Sequence, residues 1–419
     1  MMKKFATYIA SFKGRLKETG AMMIVALAAI GCAKVETNEG DVLKEDTPID
    51  FSWYTSRNIG TKADPTYFVG DVTTTGTERH LNSGTSMGVF GYFHPQEAGV
   101  AGSWKTGAGA YNAPNLFYNE PVSIAETSGT YSYDYEHSRF WPRNTLDRIS
   151  FIAYYPWNEL NTTGSASETT IVEPFLDSRS EREGMVGFYY VVPENSDDQI
   201  DFCVSDLCLE QSKAVWTDNN NQGLTGNANG KVKFFFHHAL SQIRVKSVNF
   251  DKGGNDDIEV KINYIIFRNV AVFGQCIPVP DFNTTTATGR TTVNPTWPVG
   301  SLVARRPNLT SGVRAEVCYD SDNDTWDVNE FLLMIPHTFF TGATIEVNFD
   351  VTRRKDPVTG EYYSYLENTL SAPLTTTSVY EWAPGKIYTY NITLDLKQIK
   401  VTADVVDWLD AGEDVIMDN

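Results

Sequence analysis

The sequence predicts an all-β protein made of two β-sandwich domains. Its 419 residues exceed the roughly 250–300 residues at which one hydrophobic core stops growing, so two domains are expected. Aromatic residues make up 13% of the chain, and 31 Gly and 18 Pro interrupt it throughout. That composition is typical of short strands joined by turns, and helical periodicity is almost absent from the later parts of the chain.

Residues 1–31 are typical of a secretory signal peptide. Five basic residues precede the apolar run "AMMIVALAAIG", which is too short for a helix that spans about 30 Å of hydrocarbon but fits a signal. The order "AIGC" resembles a bacterial lipobox, in which the thiol of Cys32 accepts a diacylglyceryl group. We therefore predict lipidation of Cys32 and a membrane anchor. An ordinary secretory signal with an incidental cysteine is the alternative.

The charge of the chain argues against a nucleic-acid partner. The formal net charge is −19, and it becomes −23 once residues 1–31, with their net charge of +4, are removed. Binding to phosphate backbones needs a basic patch that releases counterions, so we expect no nucleic acid to bind.

Strand signals begin after a polar tether, residues 32–48, which lacks periodicity. In "PIDFSWYTSR" the apolar residues Ile49, Phe51 and Trp53 alternate with polar neighbours and predict the first strand. Residues 49–228 are the predicted N-terminal domain. Its further strands lie in "MGVFGYF", "RISFIAYYP", "GFYYVVP" and "IDFCVSDLCL", between turn clusters that are typical of a sandwich.

A second set of strands follows the Asn- and Gly-rich segment "WTDNNNQGLTGNANG", residues 216–230. This segment predicts a domain junction or a long loop, and residues 229–419 are the predicted C-terminal domain. Its strands begin at Val232 and continue through "IEVKINYIIFRNVAVFG", "RAEVCYD", "EFLLMIP", "TIEVNFDV", "KIYTYNITLDL" and "IKVTADVV".

The stretch "VKFFFHHALSQIRVKSVNF" raises the question of a metal site. On a strand, Val232, Phe234, Phe236 and His238 share one face, whereas His237 points the other way. The two histidines therefore cannot converge on one metal, and we predict a core histidine with a hydrogen-bond partner at His238. The apolar phase then changes twice, which predicts bends or bulges.

Four cysteines remain beyond the lipobox: Cys203, Cys208, Cys276 and Cys318. If "DFCVSDLCL" is one strand, Cys203 and Cys208 lie on opposite faces about 16 Å apart, too far for a disulfide. Three pairings are formally possible, and buried free thiols are the default expectation. The C-x4-C spacing without a nearby histidine is not a zinc motif, so we expect no metal and no cofactor.

Two motifs could suggest an active or ion-binding site. "GTSMG" matches the hydrolase elbow around Ser86, but the elbow needs a strand before the serine and a helix after it, and here a loop precedes and a strand follows. "DSDNDTWDVNEF" places Asp320, Asp322 and Asp324 like the first ligands of a calcium loop, yet it lacks the required Gly and Glu. A turn and a solvated acidic loop are the favoured interpretations, so we expect no enzyme.

Several segments occur in an order that resembles the fimbrillin-like family, the type V pilus subunits of Gram-negative anaerobes. "FFHHALSQIRV" resembles the F-x-H-A-L-x-x-I/V signature, and "FWPRNTLDRISFIAYYP" resembles the W-P … F-x-A-Y-Y-P segment. "FLLMIP" resembles the L-M-I-P strand, and "WAPGKIYTYNITL" with "VTADVVDW" resembles the closing block. The resemblance covers about residues 49–408.

The resemblance implies two tandem transthyretin-like antiparallel β-sandwich domains in an outer-membrane lipoprotein at the cell surface. It also implies removal of the first strand by an arginine-specific protease, and assembly with other fimbrial subunits by donor-strand exchange. "IDFSW" would be the removable strand, and Arg57, the first arginine after it, would be the site of proteolytic maturation. A head-to-tail contact of this kind does not close and makes a fibre.

The C-terminus departs from this pattern, because only eleven residues follow Trp408 and Val415–Met417 is their sole apolar cluster. Either "IKVTADVV" donates, or the subunit accepts a strand without donating one, as a tip or accessory subunit or a protein that never polymerises. We therefore predict a fimbrial subunit or adhesin, with no receptor identified. The alternative is a surface lipoprotein that binds glycans without polymerising, through exposed aromatic residues. The candidates are Trp53, Trp157, Tyr362 and Tyr363.

Overall fold

Strands build almost all of the chain that the structure describes, and the all-β prediction is confirmed. A computed structural model describes residues 48–55, 84–106, 110–127, 130–144, 146–163, 165–167, 170–178, 183–193, 198–212, 231–250, 258–285, 289–298, 313–315, 318–320, 325–327, 331–353, 358–359, 365–376, 379–394 and 399–407. These ranges contain no α-helix, and a 3-10 helix lies at Phe282–Thr284. None of their helices is long and apolar enough to cross a membrane.

The strands before the Asn- and Gly-rich segment, and the first after it, have the following bounds. They are β1 (Asp50–Thr55), β2 (Ser86–His94), β3 (Phe117–Thr127), β4 (Thr130–Asp134), β5 (Arg148–Tyr155), β6 (Val172–Leu176), β7 (Val186–Val191), β8 (Cys203–Ser205), β9 (Leu207–Gln211) and β10 (Lys231–His238).

The later strands continue in chain order. They are β11 (Ser241–Phe250), β12 (Ile258–Arg268), β13 (Phe273–Pro280), β14 (Arg290–Thr291), β15 (Val293–Thr296), β16 (Val313–Ala315), β17 (Cys318–Asp320), β18 (Thr325–Asp327), β19 (Phe331–Met334), β20 (His337–Thr338), β21 (Thr344–Arg353), β22 (Tyr365–Pro373), β23 (Glu381–Trp382), β24 (Lys386–Leu394) and β25 (Ile399–Asp407).

Across the described ranges these strands form five sheets. The largest has nine strands in the order β1-β10-β8-β5-β2-β3-β4, with β9 beside β5 and β14 beside β9. A six-stranded sheet has the order β17-β18-β11-β24-β25, with β19 also beside β11. Two four-stranded sheets have the orders β16-β12-β21-β22 and β15-β13-β7-β6, and β20 pairs with β23.

The sheets combine strands from both predicted domains. Strand β10 lies in the nine-stranded sheet, β14 pairs with β9 and β13 pairs with β7. The division into residues 49–228 and 229–419 stays a prediction. Strand β10, from the predicted C-terminal domain, shares a sheet with strands of the predicted N-terminal domain.

The central strands of the nine-stranded sheet, β2 and β5, are buried on both faces and separate two cores. On β5, Phe151 and Tyr155 point into one core while Ile152 and Tyr154 point into the other. We call the first of these the small core. Its buried members are Ile49, Phe51, Met87, Val89, Phe117, Val122, Ile124, Trp141, Ile149, Phe151, Ala153, Tyr155, Cys203, Cys208, Val232, Phe234 and Phe236. Burial on both faces explains why apolar residues occupy both phases of "RISFIAYY".

The hydrolase-like motif is the start of β2, as the sequence predicts. Gly84 forms a turn with a left-handed φ of 83°, and the chain continues from Ser86 as a strand rather than a helix. The Ser86 carbonyl accepts a hydrogen bond from the Trp157 N–H (2.9 Å). At Gly88 a Cβ atom would lie 2.0 Å from the ring of Tyr154. Glycine is therefore required at Gly88 for this ring to pack across β2.

The prediction that Cys203 and Cys208 lie on opposite faces of one strand is wrong. The chain breaks at Asp206 into β8 and β9, so Cys203 pairs with Tyr155 while Cys208 pairs with Phe151. Both thiols consequently enter the small core. The prediction of buried free thiols is confirmed for Cys203, Cys208 and Cys276, while the side chain of Cys318 lies outside the described residues.

The predicted bends of the histidine stretch are confirmed. Strand β10 ends at His238 in the nine-stranded sheet, and β11 begins at Ser241 in the six-stranded sheet, so the chain turns a corner between them. The second change is a register shift between Val245 and Ser247 where β11 pairs with β24. These two irregularities account for both changes of apolar phase.

His94, at the end of β2, is a buried neutral histidine. Its Nε2 lies 3.1 Å from the Ser150 Oγ, and the Trp104 ring packs edge-on at 5.7 Å. Burial, followed by the positive charge of Lys105, lowers the pKa of His94 from 6.5 to about 4. Protonation of His94 is therefore coupled to unfolding.

The first prediction concerns His94→Gln. Because the folded-state pKa lies below the unfolded value, the stability that neutral His94 contributes is complete above pH 6.5 and is lost as the pH falls through about 4. We expect the thermal midpoint of the wild type to fall more steeply over this interval than that of His94→Gln. His137→Gln, at an exposed histidine, is the control and should follow the wild type. Identical pH profiles for the wild type and His94→Gln would contradict the assignment.

Candidate functional site

The candidate functional site is the slot that strand β1 occupies in the nine-stranded sheet. The predicted lipidation residue Cys32 and the predicted cleavage residue Arg57 lie outside the described residues, so both stay predictions. The predicted removable strand between them is described.

Strand β1 forms an edge of the nine-stranded sheet and runs parallel to β10. Six consecutive residues pair, from Asp50 opposite Lys231 to Thr55 opposite Phe236. A parallel pair requires a long connection, here the chain between residues 55 and 231. Strand β1 therefore pairs with a strand that is far from it in the sequence.

Ile49, directly before β1, and Phe51, on β1, complete the small core. Ile49 is 1% exposed and Phe51 is 0% exposed. Burial of such side chains contributes about 1.5–3 kcal/mol each. The Phe51 ring lies within 5.3–6.0 Å of four other rings. These are the rings of Phe117, Tyr135, Phe151 and Phe234.

The segment from Tyr135 to Phe140 holds the two residues directly before β1. The Ile49 N–H donates to the Arg139 carbonyl (2.8 Å), and Pro48 forms an antiparallel bridge with Phe140. The Tyr135 hydroxyl donates to the Ile49 carbonyl (2.7 Å), and burial raises the pKa of this hydroxyl. The slot is thus bounded by β10 along β1 and by this segment at the N-terminal end of β1.

Strand β25 contrasts with β1. It pairs antiparallel with β24 over nine residue pairs and ends the six-stranded sheet, with no strand on its outer side among the described residues. Of its side chains only Ala403 is buried, while Val405 and Val406 are 42% and 48% exposed. An ion pair between Lys386 and Asp407 lies at one end. Main-chain pairing, rather than burial, holds most of this strand.

The comparisons with known proteins agree with the resemblance. The fimbrillin-like family matches residues 72–408, which is most of the chain. The chain belongs to the fimbrillin-like family. No curated protein matches it.

Solved fimbrial proteins are similar to this fimbrillin-like chain. A fimbrial protein from Bacteroides vulgatus has a TM-score of 0.53 at 18% identity, over 87% of this chain and 100% of the other. The tip fimbrial protein Mfa3 from Porphyromonas gingivalis, with a C-terminal truncation, has a TM-score of 0.30 at 10% identity, over 78% of this chain and 95% of the other. The first similarity supports the fold. The family consists of fimbrial structural and adhesion proteins, not of enzymes. Membership therefore makes this chain a fimbrial protein of the cell surface.

The histidine stretch that resembles the family signature lies at the end of β10, and its two histidines point apart as predicted. His238 is buried, and its Nδ1 lies 2.8 Å from the Asp201 Oδ2, which confirms a core histidine with a partner. His237 faces the other way, and its Nε2 lies 2.7 Å from the Asp206 Oδ1. The prediction did not include Cys203, whose Sγ lies 3.6 Å from the His238 Nδ1.

The other predicted site residues are only partly described. Trp157 is partly buried, and its indole N–H donates to the Asn119 carbonyl (3.0 Å). The side chain of Trp53 and residues Tyr362 and Tyr363 lie outside the described residues. So do Asp322 and Asp324, so the calcium-loop interpretation is untested. The sequence analysis did not single out several aromatic residues that are exposed: Tyr111, Tyr118, Phe140, Phe282 and Tyr380.

The second prediction compares Phe51→Ala on β1 with Val406→Ala on β25. Removal of the Phe51 ring leaves a cavity among four rings, so we expect a loss of about 3–5 kcal/mol in the free energy of unfolding. Val406 is half exposed, so Val406→Ala should stay within about 0.5 kcal/mol of the wild type. Urea unfolding followed by tryptophan fluorescence measures both. Equal losses would show that β1 does not fill the core as described.

Proposed function

We propose that this protein is a fimbrial subunit or adhesin of the tip or accessory type, assembled by strand exchange at the β1 slot. Cys32 is the lipidation site that anchors the precursor to the outer membrane, and Arg57 is the site of maturation. The observation that carries the proposal is the position of β1, which pairs at a sheet edge and, together with the residue directly before it, buries Ile49 and Phe51 in the small core.

A cut at Arg57 would detach the lipid and the strand together. Strand β1 ends at Thr55, so cleavage two residues later leaves β1 held by noncovalent contacts alone. Its departure uncovers Val232, Phe234 and Phe236 on β10, which point into the small core. An incoming strand with alternate apolar residues would cover these side chains and pair with the main chain of β10.

The pairing of β25 supports an acceptor that does not donate. All nine residues of β25 pair with β24, and donation would break this entire ladder. The low burial of β25 favours the opposite outcome, because its release would uncover little apolar surface. The accessory role therefore requires that breaking the nine-pair ladder cost more than the small apolar area of β25 that its release uncovers.

The third prediction is made for the full-length chain treated with an arginine-specific protease. We expect N-terminal sequencing to find cleavage after Arg57, and Arg57→Ala to block it. Arg79→Ala, at the next arginine in the sequence, is the matched control and should leave cleavage at Arg57 unchanged.

The assembly of the cleaved chain is then followed on a gel run without denaturant. An accessory subunit should form no ladder alone, whereas a ladder would identify β25 as a donor and contradict the accessory role. A labelled peptide of residues 48–57 should bind the cleaved chain after β1 has dissociated. The same peptide with Phe51→Ala should bind at least about tenfold more weakly, since the ring contributes more than about 1.4 kcal/mol. Cleavage without any uptake of peptide would contradict the acceptor slot.

A second candidate function is glycan binding without polymerisation. The exposed rings of Tyr118 and Tyr380, at 55% and 61% exposure, favour it because exposed aromatic faces stack on sugars. Glycan titration tests this function. Millimolar or tighter binding that is lost in Tyr118→Ala would support it, and no binding by the wild type would dismiss it.

A further inference from the structure

Three side chains with metal-binding atoms meet beneath the end of β10. The Asp201 Oδ2 lies 2.8 Å from the His238 Nδ1 and 3.5 Å from the Cys203 Sγ. The Cys203 Sγ lies 3.6 Å from the His238 Nδ1. Asp201 is 2% exposed, Cys203 1% and His238 6%. The three atoms therefore form a closed triangle inside the protein.

The fold places these residues by strand pairing rather than by sequence spacing. Cys203 begins β8 directly opposite His238 on β10, and Asp201 stands two residues before Cys203, on the same side of the chain. His238 is separated from Cys203 by 35 residues in sequence. For this reason no local motif indicates the group.

The arrangement does not suit a nucleophilic triad. A triad needs the thiol at one ring nitrogen and the carboxylate at the other, whereas here both lie at Nδ1. Burial, together with the charge of Asp201, raises the pKa of the Cys203 thiol well above its usual range. Within the described structure the buried Asp201 Oδ1 has no hydrogen-bond partner. The hydrogen bonds among Asp201, Cys203 and His238 therefore leave one buried oxygen of Asp201 unsatisfied.

We propose that Asp201, Cys203 and His238 form a binding site for a zinc ion. Zinc takes sulfur at about 2.3 Å, and nitrogen and oxygen at about 2.0–2.2 Å, in a tetrahedron. The edges of such a tetrahedron are roughly 3.3–3.6 Å. The two edges that include the sulfur match this range at 3.5 and 3.6 Å, and the shorter edge between Asp201 and His238 has to widen when the ion enters.

Charge supports the same assignment. A thiolate at Cys203 and a carboxylate at Asp201 together neutralise a divalent cation, and a neutral group is far less costly to bury than an isolated charge. Zinc binding replaces the thiol proton, which leaves to solvent, and needs the His238 Nδ1 unprotonated. Three protein ligands leave the fourth tetrahedral position to a water molecule.

The fourth prediction is tested by refolding the full chain with cobalt(II), which occupies tetrahedral zinc sites and absorbs in the near ultraviolet when bound to a thiolate. We expect this absorption band to saturate at one cobalt(II) ion per chain. The band should disappear in Cys203→Ser and persist in Cys208→Ser, a matched variant of a second buried thiol in the small core. Refolding is used because the site is too buried for the ion to enter the native protein readily.

The wild type alone provides a second measurement if Cys203→Ser does not fold. X-ray absorption of the zinc-refolded chain should give one sulfur at about 2.3 Å with nitrogen or oxygen at about 2.0 Å. The thermal midpoint should also be higher after refolding with zinc than with a chelator. Absence of the cobalt band in the wild type, its persistence in Cys203→Ser, or a zinc shell without sulfur would each overturn the proposal.

Discussion

The structure depends on strand β10, which has to satisfy neighbours on both edges and a core beneath it. On one edge it pairs parallel with β1, and on the other it pairs antiparallel with β8. Its residues Val232, Phe234 and Phe236 fill the small core, and its last residue, His238, contacts Asp201. The chain then turns the corner into the six-stranded sheet, where the Trp297 indole N–H donates to the Ala239 carbonyl (2.8 Å). A change in β10 therefore reaches the β1 slot and the corner together.

Local patterns in the sequence predicted much of this arrangement. Alternation identified β1 and β10, and the opposite directions of His237 and His238 followed from the strand period of two. The two changes of apolar phase predicted the corner and the bulge in β11. Each of these features is determined by residues that are close together in the sequence, so the pattern along the chain predicts it.

The features that sequence reasoning missed depend on contacts between distant residues. The break at Asp206, which brings Cys208 to the same face as Cys203, is stabilised from elsewhere. The Asp206 N–H donates to the Phe235 carbonyl (2.7 Å), and its carboxylate accepts from the Val293 N–H (3.1 Å). The parallel direction of β1 and the group of Asp201, Cys203 and His238 likewise follow from strand order. No pattern along the chain encodes strand order.

The parallel ladder between β1 and β10 has a mechanical consequence. Six residue pairs lie side by side along the strand, so a tensile force applied along the strand axis strains all of them at the same time. Such shear loading resists rupture better than peeling, in which the pairs open one after another. A strand held in this slot thus resists a pull along its own axis better than a pull across it.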